Sequence, residues 1–352
     1  MTKVHNFSAG PAVLPKEVID QCISALQNFA GTNLSLIEVS HRGAPFVAVM
    51  DEARQIVKDL MNLGDDYEVI YLQGGASTQF LMVAMNLLET KAAYTNTGTW
   101  AKKAIKEAEA FGIVDVLGSS ADQNFNYIPK NFTIDDSYDY FHCTSNNTIS
   151  GTQMKEFPDC PVPLVCDMSS DIFSRPLDFS KFDLIYAGAQ KNMGPAGTTL
   201  VVVKKSILGK VNRAIPTMLK YQTHIDKESM FNTPPVFAVY ASLQNLKWIK
   251  RNGGLEAMEK RNAEKANMLY NEIDNNPMFK GTTAIEDRSH MNVTFVLEDD
   301  TLNADFLEAC ANANISGIKG HRSVGGFRAS IYNALELDSI EALVNVMKNF
   351  KA

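Results

Sequence analysis

The sequence predicts an α/β protein: a large domain with a mostly parallel sheet flanked by helices, and a smaller α+β domain towards the C-terminus. Helical and extended patterns alternate through most of the chain, which is typical of sheets built from strand–helix–strand units. After Pro234-Pro235 this alternation gives way to a long helical pattern. The length of 352 residues is also more than a single core usually supports, so we expect two domains.

The first part of the chain supplies the elements of the large domain. Residues 16–29 place apolar side chains on one helical face, and Pro45 opens a second helix with similar spacing. Further helical patterns cover 78–89 and 100–111. The strand-like runs are 67–73, 91–96, 138–144, 163–168, 183–188 and 198–204.

The last part of the chain predicts a long helix over 236–275 that breaks at Gly253-Gly254. After it come a strand over 291–297, a helix over 303–313, a strand over 328–332 and a closing helix. Asp338 and Glu341 have the spacing of a capping pair for that last helix. No internal repeat or low-complexity segment interrupts the chain.

These patterns predict domain boundaries. We expect the large domain to span 13–264 and the small α+β domain to span 265–352 together with residues 1–12.

The composition excludes several classes of protein. A net charge of −7 and no long basic block argue against a nucleic-acid surface. No apolar run approaches the length of a membrane span, and no secretion signal is visible at the N-terminus. The five cysteines are scattered without a C-x-x-C pair, and the six histidines form no ligand cluster. We therefore expect a cytoplasmic protein with reduced thiols and without a metal site.

One lysine and one aspartate suggest a specific chemistry. Lys191 stands among small residues where an apolar run ends, so its ammonium would lose hydration and its pKa would fall. Asp167 ends the preceding apolar run, which would bring both residues to the carboxyl edge of one sheet. Taken singly, Lys191 is better explained as a surface lysine, and Asp167 equally well as a helix cap. Together they are the pair that pyridoxal phosphate needs: an amine for the aldehyde and a carboxylate for the pyridine nitrogen.

Three further positions fit this cofactor. The turn Gln73-Gly-Gly-Ala-Ser-Thr78 lies between a strand and a helix, where backbone amides can hold a phosphate, although an ordinary turn explains it equally well. Trp100 offers an aromatic face for the pyridine ring, but core packing is the better explanation from its sequence alone. Thr148 offers a hydroxyl donor in a polar turn, where hydroxyls are common.

Arginines indicate an anionic substrate. His41-Arg42-Gly43 lies in a polar turn between helices, and a glycine-rich stretch carries Arg322 and Arg328. Guanidinium groups bind carboxylate and phosphate at two points, so one would hold an α-carboxylate and the others a distal anion. The alternative is solvated surface arginines, which the glycine-rich setting of Arg322 and Arg328 argues against.

Six stretches, taken in order along nearly the whole chain, resemble the phosphoserine aminotransferase family, within the fold-type-I pyridoxal phosphate enzymes. They are Asn6-Phe-Ser-Ala-Gly-Pro-Ala12, Ser40-His-Arg-Gly43, Asp167-Met-Ser-Ser170, Ala187-Gly-Ala-Gln-Lys-Asn-Met-Gly-Pro-Ala-Gly197, Asn232-Thr-Pro-Pro235 and Gly320-His-Arg-Ser-Val-Gly-Gly-Phe-Arg-Ala-Ser-Ile-Tyr-Asn333.

The resemblance implies a role for each candidate residue. Lys191 would be the Schiff-base lysine, Asp167 the partner of the pyridinium nitrogen and Trp100 the stacking ring. The other cofactor contacts it implies are Ala76, Ser77 and Gln190 at the phosphate, Thr148, and Asn232 with Thr233 from the partner subunit of a homodimer. The substrate contacts it implies are Ser8 and Arg42 for glutamate, Arg328 for the α-carboxylate, and His41, Arg42, His321 and Arg322 for the distal anion.

The implied activity is the transfer of an amino group between glutamate and 3-phosphohydroxypyruvate, giving O-phosphoserine and 2-oxoglutarate in serine biosynthesis. In that reaction Lys191 would move the proton of the substrate α-carbon, with ping-pong kinetics. The resemblance also implies 4-phosphohydroxythreonine, on the path to pyridoxine, as a candidate substrate. One departure stands out: some members carry an arginine at the position of Ser77, so a phosphate contact is missing here.

Three alternatives stay open. An alanine–glyoxylate-type aminotransferase shares the fold but does not need the arginines at 42 and 322. A cysteine desulfurase needs a cysteine in a mobile loop, whereas Cys310 lies in a helical pattern. The third is a non-catalytic α/β protein that binds a phosphate metabolite through its glycine turns.

Overall fold

The computed structural model describes residues 3–351. Its strands are β1 (His5–Asn6), β2 (Tyr67–Leu72), β3 (Lys91–Asn96), β4 (Ile113–Ser119), β5 (Phe141–Thr144), β6 (Asn146–Asn147), β7 (Thr152–Gln153), β8 (Leu164–Asp167), β9 (Leu184–Gly188), β10 (Thr199–Lys204), β11 (Phe279–Gly281), β12 (Asn292–Leu297), β13 (Ile315–Ser316) and β14 (Phe327–Ser330). Its helices are α1 (Lys16–Gln27), α2 (Ala44–Met61), α3 (Gly75–Leu87), α4 (Thr99–Ala108), α5 (Tyr221–Ile225), α6 (Val236–Arg251), α7 (Gly254–Asn275), α8 (Asn303–Asn312) and α9 (Leu337–Asn349).

The central sheet has the strand order β2-β10-β9-β8-β5-β3-β4. The strands from β9 through β8, β5 and β3 to β4 pair in parallel, and β10 runs antiparallel to both β9 and β2. Because crossover connections cover both faces of such a sheet, its inner strands are mostly apolar, and β5, β8 and β9 are buried at every residue. The predicted α/β fold with a mostly parallel sheet is confirmed.

Helices cover the two faces of the sheet with separate apolar layers. One layer joins the sheet to α1, α2 and α6. The other joins it to α3 and α4. Since α3 directly follows β2 and α4 directly follows β3, the N-termini of both helices lie at the edge where these strands end.

A second, smaller core lies towards the C-terminus. It combines α7, α8 and α9 with the sheet β11-β12-β14. Phe7 belongs to this core, and β1 pairs in parallel with β13, so the N-terminal segment packs with the C-terminal one. These contacts are the physical basis of the division that we propose near residue 265.

The sequence analysis missed one strand of the central sheet and predicted one helix cap wrongly. The strand β4 was not predicted, because Ile113 and Val116 are exposed on this edge strand and its pattern is not continuously apolar. The capping pair predicted for α9 is wrong: Glu336 occupies the N-cap without a side-chain cap. Asp338 instead lies inside the first turn and forms an ion pair with Lys3 at 2.6 Å.

Within residues 3–351, the helices are all too short or too polar to cross a membrane.

Candidate active site

Adjacent parallel strands bring Asp167 and Lys191 to one edge of the sheet. Asp167 is the last residue of β8, and Lys191 follows the end of β9 by three residues. The register pairs Asp167 with Tyr186, so the segments that follow β8 and β9 leave the sheet next to each other. The two charges are close enough that each shifts the pKa of the other.

Asp167 is a buried carboxylate that is only half satisfied by the protein. The side chain is 5% exposed, and burial raises its pKa, while Lys191 and the hydrogen bonds of Ser169 oppose that rise. The backbone N–H and the hydroxyl of Ser169 both donate to Oδ1, at 2.9 and 2.6 Å. Oδ2 accepts no such bond from the described chain, so it can face a cationic ring nitrogen.

Lys191 is partly buried beneath the N-terminal segment. The α-carbon of Gly10 faces its side chain so closely that an added Cβ would lie 3.4 Å from Cγ. Loss of hydration lowers the pKa of Lys191, and the nearby Arg328 lowers it further, while Asp167 acts in the opposite direction. The amine therefore loses its proton more readily than an exposed lysine and can act as a nucleophile.

Trp100, Thr148 and Arg328 form a connected wall beside Lys191. The centre of the Trp100 ring lies 5.4 Å from Lys191 Nζ. Its Nε1 donates to Thr148 Oγ1 at 3.2 Å, and Arg328 Nη1 donates to the Thr148 carbonyl at 3.1 Å. Trp100 lies in the first turn of α4, which follows β3, and Thr148 comes directly after β6, which follows β5. The edge where β3 and β5 end therefore sets both positions.

The glycine turn forms the N-terminus of α3. This helix begins at Gly75, earlier than the sequence predicts, so the amides of Ala76 and Ser77 lie in its first turn. Gly74 is the N-cap with a φ of 92°, and a side chain there would collide with Thr78. No side chain caps this end, which leaves its amides and the positive end of the helix dipole for an anion.

Basic groups lie on the side of the site that β14 and the turn before it form. Arg328 lies on β14 with a buried Nε that has no partner in the described chain. Partial burial lowers the pKa of His321, and the charges of Arg328, Arg322 and Lys103 lower it further. Arg322 itself is exposed on the turn before β14.

Gln190 precedes Lys191 in the chain, and the N-terminal segment that carries Ser8 packs against the same loop. The Gln190 carbonyl accepts from the Ala12 N–H at 2.9 Å, which holds the N-terminal segment over this loop. Ser8 packs against Gly317, two residues before Gly10.

Four of the candidate site residues do not lie beside Lys191 and Asp167 of their own chain. His41 and Arg42 stand in the turn before α2, where Arg42 is exposed and His41 Nε2 is buried without a partner. Asn232 and Thr233 are exposed, although the Thr233 carbonyl accepts from Gln73 beside the glycine turn at 2.7 Å. None of their hydrogen bonds reaches Lys191 or Asp167.

The residues present fit pyridoxal phosphate. The fit rests on a partly buried amine, a buried carboxylate with one free oxygen, an aromatic ring beside the amine, an uncapped helix N-terminus and a guanidinium nitrogen without a partner in the described chain. Together these define a pyridoxal phosphate enzyme that acts on a carboxylate-bearing substrate.

Sequence reasoning missed the residues that support Asp167. Ser169 was part of the quoted stretch Asp167-Met-Ser-Ser170 but had no role assigned. The buried Asp171 accepts from the Ser145 hydroxyl, and that hydroxyl also contacts the Asp167 carbonyl at 3.0 Å. The signal was present as a hydroxyl two residues after an acid, which is the spacing of a local side-chain turn.

Known proteins resemble the chain along its whole length. The family model "Aminotransferase class-V" matches residues 4–343. A phosphoserine aminotransferase of Flavobacterium psychrophilum is 60% identical over 99% of each chain. The structure of phosphoserine aminotransferase from Bacillus circulans subsp. alkalophilus is 45% identical and covers 98% of each chain, with a TM-score of 0.96. The pyridoxal phosphate-bound enzyme of Trichomonas vaginalis is 36% identical and covers 99% of this chain and 100% of its own, with a TM-score of 0.94.

The chain is therefore a class-V aminotransferase, a pyridoxal phosphate-dependent transferase. Within that class it belongs to the phosphoserine aminotransferase family.

Proposed function

We propose that this protein interconverts 3-phosphohydroxypyruvate plus glutamate with O-phosphoserine plus 2-oxoglutarate, in serine biosynthesis. The single observation that carries the proposal is the Lys191 amine lying beside buried Asp167, 5.4 Å from the Trp100 ring. Family membership at 60% identity supports the substrate pair. The free cysteines fit a reducing compartment such as the cytoplasm.

Lys191 carries the proton chemistry. Its lowered pKa keeps a fraction of the amine neutral, so Nζ can attack an aldehyde and, once released, take the proton from the substrate α-carbon. Bound pyridoxal phosphate would supply an electron sink for the negative charge that this proton loss leaves. The free oxygen of Asp167 would stabilise a cationic ring nitrogen, because a buried carboxylate favours a cationic partner.

Arg328 and its neighbours would orient the substrate. Its guanidinium is anchored to the Thr148 carbonyl through Nη1, which leaves Nε and Nη2 for an α-carboxylate. His321 and Arg322 lie on the same side and would face the distal carboxylate or phosphate. Trp100 shields the Lys191 amine from water on its ring face.

The choice of amino donor separates this function from its alternatives. We expect kcat/KM to be highest for phosphoserine, with glutamate as the second donor and alanine at least about a hundredfold weaker, because alanine lacks the distal anion. Equal use of alanine would favour an alanine–glyoxylate type. A purified protein with no yellow colour and no turnover would favour a non-catalytic metabolite-binding protein. Including 4-phosphohydroxythreonine in the same series tests the pyridoxine branch and shows whether Ser77 limits phosphosubstrates.

We further propose a homodimer with shared active sites, as the family resemblance implies. His41 and Arg42 do not contact the site of their own chain. Exposed apolar side chains surround the candidate partner residues: Phe231 and Phe237 flank Asn232 and Thr233, and Leu34 and Ile37 precede the His41 turn.

Mixed dimers test this sharing directly. Lys191→Ala and Arg42→Ala should each be inactive or weak alone. If Arg42 serves the partner, unfolding and refolding them together gives mixed dimers with one intact site each, and roughly a quarter of the wild-type activity returns. No gain on mixing would show that each site uses its own Arg42.

A further inference from the structure

Lys265 is a fully buried lysine without a carboxylate partner among residues 3–351. It lies on α7 at 0% exposure. Its Nζ donates to the carbonyls of Ile331, Tyr332 and Leu335 at 2.8, 2.6 and 3.1 Å. Three acceptors need three N–H donors, which only the protonated ammonium supplies. Burial lowers the pKa of Lys265 well below its ordinary value, and the charge of Arg261 lowers it further. The three carbonyl dipoles act against that shift, because they take the place of water around the ammonium.

The loop that Lys265 holds is the continuation of the strand that carries Arg328. β14 ends at Ser330, and the loop over 331–335 leads from it to α9. A cation that gathers three carbonyls of one short loop fixes that loop more rigidly than a single hydrogen bond would. The position of β14 therefore depends on this loop at its C-terminal end.

Asn333, in the middle of the loop, ties it to the large domain. Its backbone N–H donates to Asn192 Oδ1 at 2.9 Å, and its Nδ2 donates to the Phe173 carbonyl at 2.8 Å. Its Oδ1 accepts from Asn262 Nδ2 at 2.7 Å, from the same helix as Lys265. Asn333 is buried, and its backbone N–H and both polar atoms of its side-chain amide each have a partner.

Asn192 is the neighbour of Lys191 and is itself fixed. Its Nδ2 donates to the Ile172 carbonyl at 2.6 Å, and its own carbonyl accepts from Asn245 at 3.2 Å. Continuous hydrogen bonds therefore connect the loop after Arg328 to the residue beside Lys191. These contacts cross between the two cores of the chain.

We infer that Lys265 and Asn333 are positioning residues that set the distance between the Arg328 guanidinium and Lys191 Nζ. The inference rests on the proposed function. A structural role alone would not need a charge at residue 265, because an apolar side chain of similar volume in a core is often as stable as a buried ion. The charge instead orients three carbonyls of one loop.

The test compares Lys265→Met with Lys260→Met, the same change at an exposed position of α7. Maleate, an unreactive dicarboxylate, is titrated into each holoenzyme through the absorbance of its cofactor. We expect Lys265→Met to retain that absorbance, to bind maleate about ten- to a hundredfold more weakly and to raise KM for glutamate by the same factor. Hydrogen exchange of the Asn333 N–H should quicken in Lys265→Met, with no change in Lys260→Met.

Unchanged maleate affinity in a folded Lys265→Met holoenzyme would overturn the inference. If that variant does not fold, Asn262→Ala removes one donor to Asn333 and leaves Lys265 in place, with the exposed Asn267→Ala as its control. Asn262→Ala should then weaken maleate binding and quicken the same exchange, and wild-type values for both would overturn the inference. A wild-type holoenzyme that transfers no amino group from glutamate would refute the proposed function, whereas wild-type maleate affinity in an active Lys265→Met holoenzyme would refute the inference alone.

Discussion

Replacing Asp167 with asparagine tests the role of the buried carboxylate at constant shape. The amide can keep an oxygen at the position of Oδ1, where Ser169 donates two hydrogen bonds. It then places an NH₂ group where Oδ2 stood. The ring nitrogen of the cofactor would face a neutral donor in place of an anionic acceptor.

The expected loss follows from that exchange. Removing one partner of a buried charge pair costs about 3–5 kcal/mol, and the lost charge-assisted hydrogen bond is part of that sum. At 1.36 kcal/mol per tenfold change in rate, kcat should fall roughly 10²- to 10⁴-fold.

The assay is the steady-state transamination of phosphoserine with 2-oxoglutarate, with the exposed Asp305→Asn on α8 as control. We expect the control to match the wild type. If Asp167→Asn kept kcat within about threefold of the wild type, the carboxylate would not be supporting the reaction, and our reasoning on the pair would be refuted.

Although Asp167→Asn should lower kcat, it should raise the stability of the cofactor-free protein. Burial raises the pKa of Asp167 above its unfolded value, so its ionisation in the cofactor-free fold costs stability as pH rises through the folded pKa. Cofactor-free Asp167→Asn lacks that cost. Its melting temperature relative to the wild type should therefore be higher at pH 7 than near pH 4, and a difference that does not depend on pH would contradict the assigned burial effect.

Two further substitutions test other parts of the site. Arg328→Lys keeps the charge but loses the two-point geometry of the guanidinium. KM for glutamate should therefore rise roughly ten- to a hundredfold, or about 1.5–3 kcal/mol, with a smaller change in kcat. An unchanged KM would show that Arg328 does not bind the carboxylate. Gly74→Ala should destabilise the protein and weaken cofactor binding, because it combines a φ of 92° with a collision against Thr78. Gly209→Ala, at a φ of 75° in open space, carries only the backbone strain, so equal stability losses would show that the collision is absent.

The elements of the fold were predictable where buried positions give a continuous or periodic apolar pattern in the sequence. The inner strands β8 and β9 are buried on both faces and read as apolar runs that end at Asp167 and just before Lys191. The edge strand β4 gave no such run because none of its 7 residues is buried. The last helix was predicted, but the partner of Asp338 was not, since Lys3 is more than 300 residues away in sequence.

The site was predictable where one residue type is chemically required. A lysine and an aspartate at neighbouring strand ends indicate one cofactor, and the structure brings them together with Trp100 and Thr148. Ser169 has a weaker signal, because a serine after an acid is common in turns. The contacts of Lys265 could not be predicted, since they are backbone carbonyls that any residue supplies and only the tertiary fold gathers.

The most direct test of the central claim is reductive trapping of the bound cofactor. Borohydride should bleach the yellow wild-type protein, and peptide mass analysis should locate the cofactor mass on Lys191. Lys191→Ala should show neither that absorbance nor a trapped peptide, while Lys205→Ala, at the exposed residue directly after β10, should behave like the wild type. A trapped cofactor on any other lysine would contradict the account.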